Sequence, residues 1–259
     1  MGVSRAAAWL VPLMLGACSS GKPRSPEDAK RVTPPGDAAI VVVADAAAAP
    51  KTPSGDVQVR VEWTNVPPAA RSSPGKTGCG TPRAPAVAPT TTWGIPDVVV
   101  IVDGAPGALA EARVRFAGCA LSPRISIGNT LVVDSAADRP AAVVLSHRAR
   151  ASDLRVEIKS AIPARTIQLP IAGHTVTTAL EDGAVFEIAG ERGDAAWIVA
   201  ARAAITDPSG VVLVRDVPPG VHAVRAWLPP RGGQPARHAV GEVTVVDGDL
   251  AELALQLVP

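Results

Sequence analysis

The sequence predicts an all-β protein built as an antiparallel β-sandwich. Short runs of alternating or β-branched residues recur along the chain, with Gly, Pro, Asp and Asn between them. The 3.6-residue period of an amphipathic helix is nearly absent, and Ala108–Arg113 is the one short helical candidate. Glycine and proline number 23 and 26 among 259 residues, a turn-rich composition that still leaves 47% hydrophobic residues for a core.

The first 17 residues have the pattern of a targeting signal. Arg5 supplies a positive start, Ala6–Leu15 an apolar run too short to span a bilayer, and Leu15-Gly16-Ala17 a small-residue cleavage site. Leu15-Gly16-Ala17-Cys18 resembles the lipobox of bacterial lipoproteins. That resemblance implies cleavage after Ala17, a lipid on the Cys18 sulfur, and anchoring in the membrane by more than one acyl chain. The alternative is an ordinary secretory signal with a chance cysteine. Ser19 follows the cysteine where Asp would retain such lipoproteins in the inner membrane, so the expected address is the bacterial outer membrane, on its periplasmic or surface face. Removal of Arg5 from a chain of formal net charge +1 leaves a neutral mature protein, which gives no electrostatic pull toward polyanions.

Residues 18–55 read as a tether. Pro and Ala dominate, charges are mixed, and no period is sustained. The folded part is expected from residue 56. Asp56–Glu62 (DVQVRVE) alternates as a half-buried strand does, Pro67–Pro89 is a loop, and Asp97–Val102 (DVVVIV) is a buried strand closed by the turn Asp103-Gly104. Further strands are expected at Arg113–Ala117, Arg124–Ile127, Thr130–Asp134, Ala142–Leu145, Leu154–Ile158, Arg165–Leu169, Ala184–Ile188 and Ala196–Ala200. Asp207-Pro208-Ser209-Gly210 has the residues of a type I turn. It leads into a strand Val211–Arg215, which a second turn, Asp216–Gly220, is expected to pair with Val221–Trp227. Glu242–Val246 and Ala251–Val258 complete a meander or Greek-key set.

Apart from Cys18, the cysteines are Cys79 and Cys119, an even pair in an oxidising compartment. One disulfide is the economical reading. Two buried thiols or a metal pair are the alternatives, although neither cysteine has a His or second Cys at zinc spacing.

Thr206–Trp227 (TDPSGVVLVRDVPPGVHAVRAW) resembles the repeat T-D-x-x-G-x-F-x-(I/L)-x-x-V-P-P-G-x-Y-x-L-x-x-W of carboxypeptidase regulatory-like domains, which are prealbumin-type sandwiches. Val212 stands at the Phe position and His222 at the Tyr position, which implies a packed His222 satisfied by a backbone partner. Upstream, Cys79-Gly80, the Asp97–Val102 strand, Cys119-Ala120-Leu121-Ser122-Pro123-Arg124-Ile125, Gly128-Asn129-Thr130 and Ala196-Trp197-Ile198-Val199 follow the order of a group of periplasmic cupredoxin-like proteins. The two resemblances imply a cupredoxin-like sandwich over 56–200 and carboxypeptidase regulatory-like strands over 201–259. The copper ligands of such proteins are missing. The thiolate position falls on Ile188, the His positions on Ala141 and Glu191, and the Met position on Asp194. Type 1 copper needs nitrogen and sulfur donors, so no metal and no cofactor are expected.

No other motif assigns chemistry. Aromatic residues are 3% of the chain with no Tyr, and 25 basic side chains face 24 acidic ones, so neither a base-stacking platform nor a phosphate-tracking groove is expected, and no nucleic-acid partner. His147, His174, His222 and His238 match no zinc spacing. Ser146 and His147 are strand neighbours pointing to opposite faces, which excludes a nucleophile–base pair. G-x-S-x-G, P-loop and dinucleotide-binding glycine motifs are absent. Glu181-Asp182 and the pair Glu191 and Asp194 read as solvated turns. Trp197 and Trp227 stand at pattern positions and are expected in the core. Trp93, in the loop Thr90–Gly94, is the candidate exposed contact, with packing over the loop as its alternative.

The reading is therefore a non-enzymatic envelope lipoprotein, with no catalytic residues, acting as a binding or structural module. It is attached to the membrane by its lipid and partnered by an envelope protein or a glycan. An accessory periplasmic redox or metal-handling protein is the alternative, and a carbohydrate-binding module the third.

Overall fold

The computed structural model describes residues 52–73, 75, 76, 80, 82, 83, 85, 87, 94–118, 120–154, 164–190, 195–231 and 233–258, all within one compact unit. The expected signal, Cys18 and the tether as far as residue 51 lie outside these residues.

The described chain is nearly all β, as composition and period predict. Its elements are β1 (Gly55–Glu62), α1 (Pro68–Arg71), β2 (Val99–Val102), β3 (Glu111–Ala117), β4 (Ala120–Ser122), β5 (Ile125–Ile127), β6 (Thr130–Ser135), β7 (Ala141–Arg150), β8 (Arg165–Leu169), β9 (Thr175–Ala179), β10 (Ala184–Gly190), β11 (Ala196–Val199), β12 (Ala204–Ile205), β13 (Val211–Val217), β14 (Gly220–Leu228), β15 (Arg237–Val245) and β16 (Leu250–Gln256). The loop read over Pro67–Pro89 contains the one-turn helix α1, with Pro68 in its first turn. The helical candidate Ala108–Arg113 is not a helix. Its second half opens β3, where exposed and buried residues alternate strictly and where pairing with β6 supplies the backbone hydrogen bonds. The strand expected at Leu154–Ile158 falls largely outside the described residues.

Strand pairing makes two sandwiches, and it crosses residue 200. The first joins the sheet β13-β1-β16 to the sheet β12-β2-β14-β15. Its core is Val57, Val59 and Val61 of β1 against Val100, Val102, Val224, Ala226, Leu228, Val243 and Val245. The strands before residue 103 and after residue 203 thus complete one another. The second sandwich lies between them in sequence and joins β5-β11-β10-β7-β8 to β4-β3-β6-β9, around Val114, Phe116, Leu131, Val133, Leu145, Leu169, Ile188 and Ile198.

A third apolar cluster seams the sandwiches together. Val99, Ile101 and Trp227 of the first meet Ile125, Ala149, Val185, Trp197 and Val199 of the second. For this reason β2 and β11 are buried on both faces and read in sequence as unbroken apolar runs.

The expected hairpin of Val211–Arg215 with Val221–Trp227 is not formed. β13 pairs antiparallel with β1 and β14 with β2 and β15, so the Asp216–Gly220 turn carries the chain from one sheet to the other. The last strand, β16, runs parallel to β1, from Asp56 opposite Leu250 to Glu62 opposite Gln256.

The Thr206-Asp207 pair has local work on both sides. The buried Thr206 hydroxyl donates to the Ile95 carbonyl (2.7 Å) and accepts from the Val98 amide (3.0 Å), which joins the entry of β2 to β12. The Asp207 carboxylate accepts from the Ser209 hydroxyl (2.6 Å) and from the amides of Ser209 (2.8 Å) and Val211 (3.0 Å). The turn closes with the Gly210 amide on the Asp207 carbonyl at 2.9 Å.

Candidate functional site

A cleft of about 480 Å³ opens at one end of the second sandwich. Its floor is set by β7. Leu145 and His147 are two residues apart and so share one face of the strand. Leu145 lies opposite Arg165 of the edge strand β8, and His147 lies opposite Phe186 of β10. From the facing sheet come Ala179, at the end of β9, then Leu180 and Glu181; Ala164 completes the lining.

Backbone contacts hold these residues in place. The Leu180 amide donates to the Asn129 carbonyl at 2.8 Å, and the Asn129 side-chain amide donates to the Asp182 carboxylate at 2.9 Å, which fixes the turn that presents Glu181. A β-bulge between Val185 and Phe186 shifts the β7–β10 register at this spot. Bulges re-aim side chains next to binding sites. Here the imidazole and the Phe186 ring lie 5.3 Å apart, tilted at 36°.

His147 is buried, at 7% exposure, and its Nε2 lies 3.1 Å from the Ala149 carbonyl. A carbonyl only accepts, so Nε2 carries the proton and, in the neutral ring, Nδ1 keeps a lone pair. Arg148 turns away to Glu187, with Nε at 2.7 Å from the carboxylate.

The cleft carries one charge of each sign. Arg165 and Glu181 are both exposed, and neither side chain has a hydrogen bond or ion pair among the described residues. Some arginines elsewhere meet carboxylates, Arg60 with Glu62, Arg113 with Glu111 and Asp134, Arg225 with Asp103, and Arg231 with Asp97. The cleft combines an apolar floor, a fixed imidazole and two free charges of opposite sign, which equips it to bind a small polar molecule.

A second recess, of about 310 Å³, lies where the first sandwich meets Ile127 of β5. Val100, Val102 and Val214 line it on one side, with Ala105, Pro106, Leu109 and Arg202 around them. The Arg202 Nε–H group is already bonded to the Gly107 carbonyl.

Of the residues singled out from sequence, Cys18, Cys79, Cys119 and Trp93 lie outside the described residues, as do Glu191 and Asp194. Ile188 is fully buried in the second core and Ala141 packs against the same cluster. A hydrocarbon and a methyl group offer no donor, so these residues do not fit type 1 copper. Among the described residues no three His, Cys, Asp or Glu side chains converge on a metal position.

His222 is half-buried, with Nδ1 at 2.6 Å from the Asp103 carbonyl and Nε2 at 2.7 Å from the Pro218 carbonyl. It ties the turn that follows β2 to the turn that leads into β14. Trp197 and Trp227 are both buried, and both belong to the seam between the sandwiches and not to either sandwich's own core.

Sequence reasoning placed His147 and Glu181 on a strand and a turn without connecting them. No local signal links them, because the cleft forms only when β7, β8, β9 and β10 are assembled. No protein-family model, no curated protein and no solved structure matches the chain.

Proposed function

We propose that this protein is a non-enzymatic envelope lipoprotein whose β-sandwich body is a binding module, with the His147–Phe186 cleft as its ligand seat. The observation that carries the binding role is that Arg165 and Glu181, charges of opposite sign without a side-chain partner among the described residues, line one apolar cleft. Small-molecule sites are mostly apolar with a few placed polar groups that fix orientation and give specificity, and this cleft has that make-up. The envelope assignment rests on the lipobox-like Leu15-Gly16-Ala17-Cys18 and the Pro- and Ala-rich tether of mixed charge that follows. The finer fold assignment, cupredoxin-like with carboxypeptidase regulatory-like strands, rests on segment order and on the turn chemistry of Thr206 and Asp207. Both belong to the same proposal.

The test is a panel of small polar molecules, run against the thermal midpoint of the full chain and of its Phe186→Ala variant. A ligand that binds only the native state raises the midpoint by mass action. The expected outcome is a stabilising compound whose effect the variant loses. A panel that leaves the midpoint unmoved would remove the binding role.

A further inference from the structure

Resting on that reading of the cleft, we infer that its ligand is a small zwitterion with an apolar body, an apolar amino acid or short peptide, whose carboxylate meets Arg165 and whose ammonium meets Glu181. Three observations lead there. First, the cation and the anion line one cleft and are bonded neither to each other nor to any other described side chain. Other arginines do have carboxylate partners, as Arg231 has Asp97 at 2.8 Å, while Arg115, beside Asp134 on the neighbouring strand, is left to solvent as Arg165 is. Two opposite charges held at one opening without pairing make a receptor for a molecule carrying both signs.

Second, charge excludes the simpler classes. A plain anion meets Glu181 as a like charge and a plain cation meets Arg165, and each juxtaposition counts against it. A neutral molecule leaves both rim charges without a partner. A zwitterion satisfies both. The guanidinium presents paired N–H donors that match a carboxylate, and the Glu181 carboxylate accepts from an ammonium.

Third, the floor is apolar and shaped. Leu145, Leu180 and Phe186 supply hydrocarbon beneath the charges, and His147 is fixed by its bond to the Ala149 carbonyl. A volume of about 480 Å³ lies in the range of small-molecule sites and holds an amino acid with a side chain of leucine or phenylalanine size, or a dipeptide.

Calorimetric titration of the full chain in detergent tests this with L-leucine, L-phenylalanine and Leu-Leu, each beside its N-acetyl and its C-terminal amide analogue. The free amino acids and the dipeptide are separate arms, so the tighter one identifies the source of the zwitterion. The zwitterions should bind, and blocking either end should weaken binding by roughly two- to fivefold, the scale of an exposed ion pair. Glu181→Gln should lose discrimination against the N-acetyl form while keeping discrimination against the amide. Arg165→Gln should do the reverse. Both positions are exposed, so the variants should unfold at the parent's midpoint, and that measurement separates lost charge from lost fold. Blocked analogues that bind as tightly as the zwitterions would overturn this inference while leaving a binding cleft. No binding by any probe, together with an inert wider panel, would remove both.

Discussion

Trp197 and Trp227 meet edge to face across the seam between the two sandwiches, with ring centroids 5.2 Å apart and planes at 87°. Trp197 comes from β11 of the second sandwich and Trp227 from β14 of the first. Each strand turns its alternate side chains inward, Ile198 into one core and Ala226 and Leu228 into the other. The pair couples the two bodies together with Val99 and Ile101 of the first, which share the seam with Ile125, Val185 and Val199 of the second.

Trp227→Ala should therefore destabilise the chain by about 3–5 kcal/mol, the usual cost of removing a buried large aromatic. Denaturant unfolding should show it as a lower midpoint. Splitting into two transitions would locate the loss at the seam. An unchanged midpoint would mean the seam contributes nothing to stability.

Gly94→Ala should prevent folding. A Cβ there would stand 1.8 Å from the Ser209 carbonyl oxygen and 2.5 Å from its carbon. Both are backbone atoms of the Asp207–Gly210 turn, held by the Val61 amide on the Gly210 carbonyl at 2.8 Å. Relief would require moving β1 or the turn, so soluble, cooperatively melting Gly94→Ala protein would contradict this close approach.

Asp207 makes the same turn sensitive to acid. The Ser209 hydroxyl, then the Val211 amide, hold its carboxyl below the ordinary value of 3.8. The folded state thus binds this proton more weakly than the unfolded state. The contribution is whole above about the ordinary aspartate value and fades as pH falls through the lower folded value. Asp207→Asn should cost about 1 kcal/mol at neutral pH, a charged hydrogen bond discounted for exposure, and much less in strong acid. Equal losses at both pH values would show that the charge is not the cause.

Cys18→Ser should release the protein from membranes or block its processing, because the proposed lipid is carried by the thiol. Fractionation with and without detergent reads the outcome. An unchanged membrane-bound variant would rule out the anchor.

Cys79 and Cys119 are proposed to be bonded to each other. Closing a loop of about 40 residues should stabilise by roughly 3–4 kcal/mol on the chain-entropy view. Non-reducing mass spectrometry should find the joined peptides. Two freely alkylated thiols in protein isolated from its own compartment would exclude the bond.

The β class, most strand positions and the 207–210 turn were legible in the sequence because each is local. Alternation over Asp56–Glu62, the β-branched run ending at Val102 and the Asp-Pro-Ser-Gly turn each satisfy their own backbone or bury their own face. Weak alternation hid other elements. Thr175–Ala179 is a polar edge strand, Ala204–Ile205 is two residues long, and Ala108–Arg113 carries helix formers that pairing with β6 overrides. Which strands pair was decided only by tertiary structure. Two half-buried strands of equal pattern are interchangeable until a core selects between them, so β13 leaves β14 for β1, and β16 finds β1 from the far end of the chain. The cleft follows from that choice. Leu145, Arg165, Glu181 and Phe186 carry no shared period, and their convergence comes from the register of β7 with β8 and β10 and from the packing of one sheet on the other.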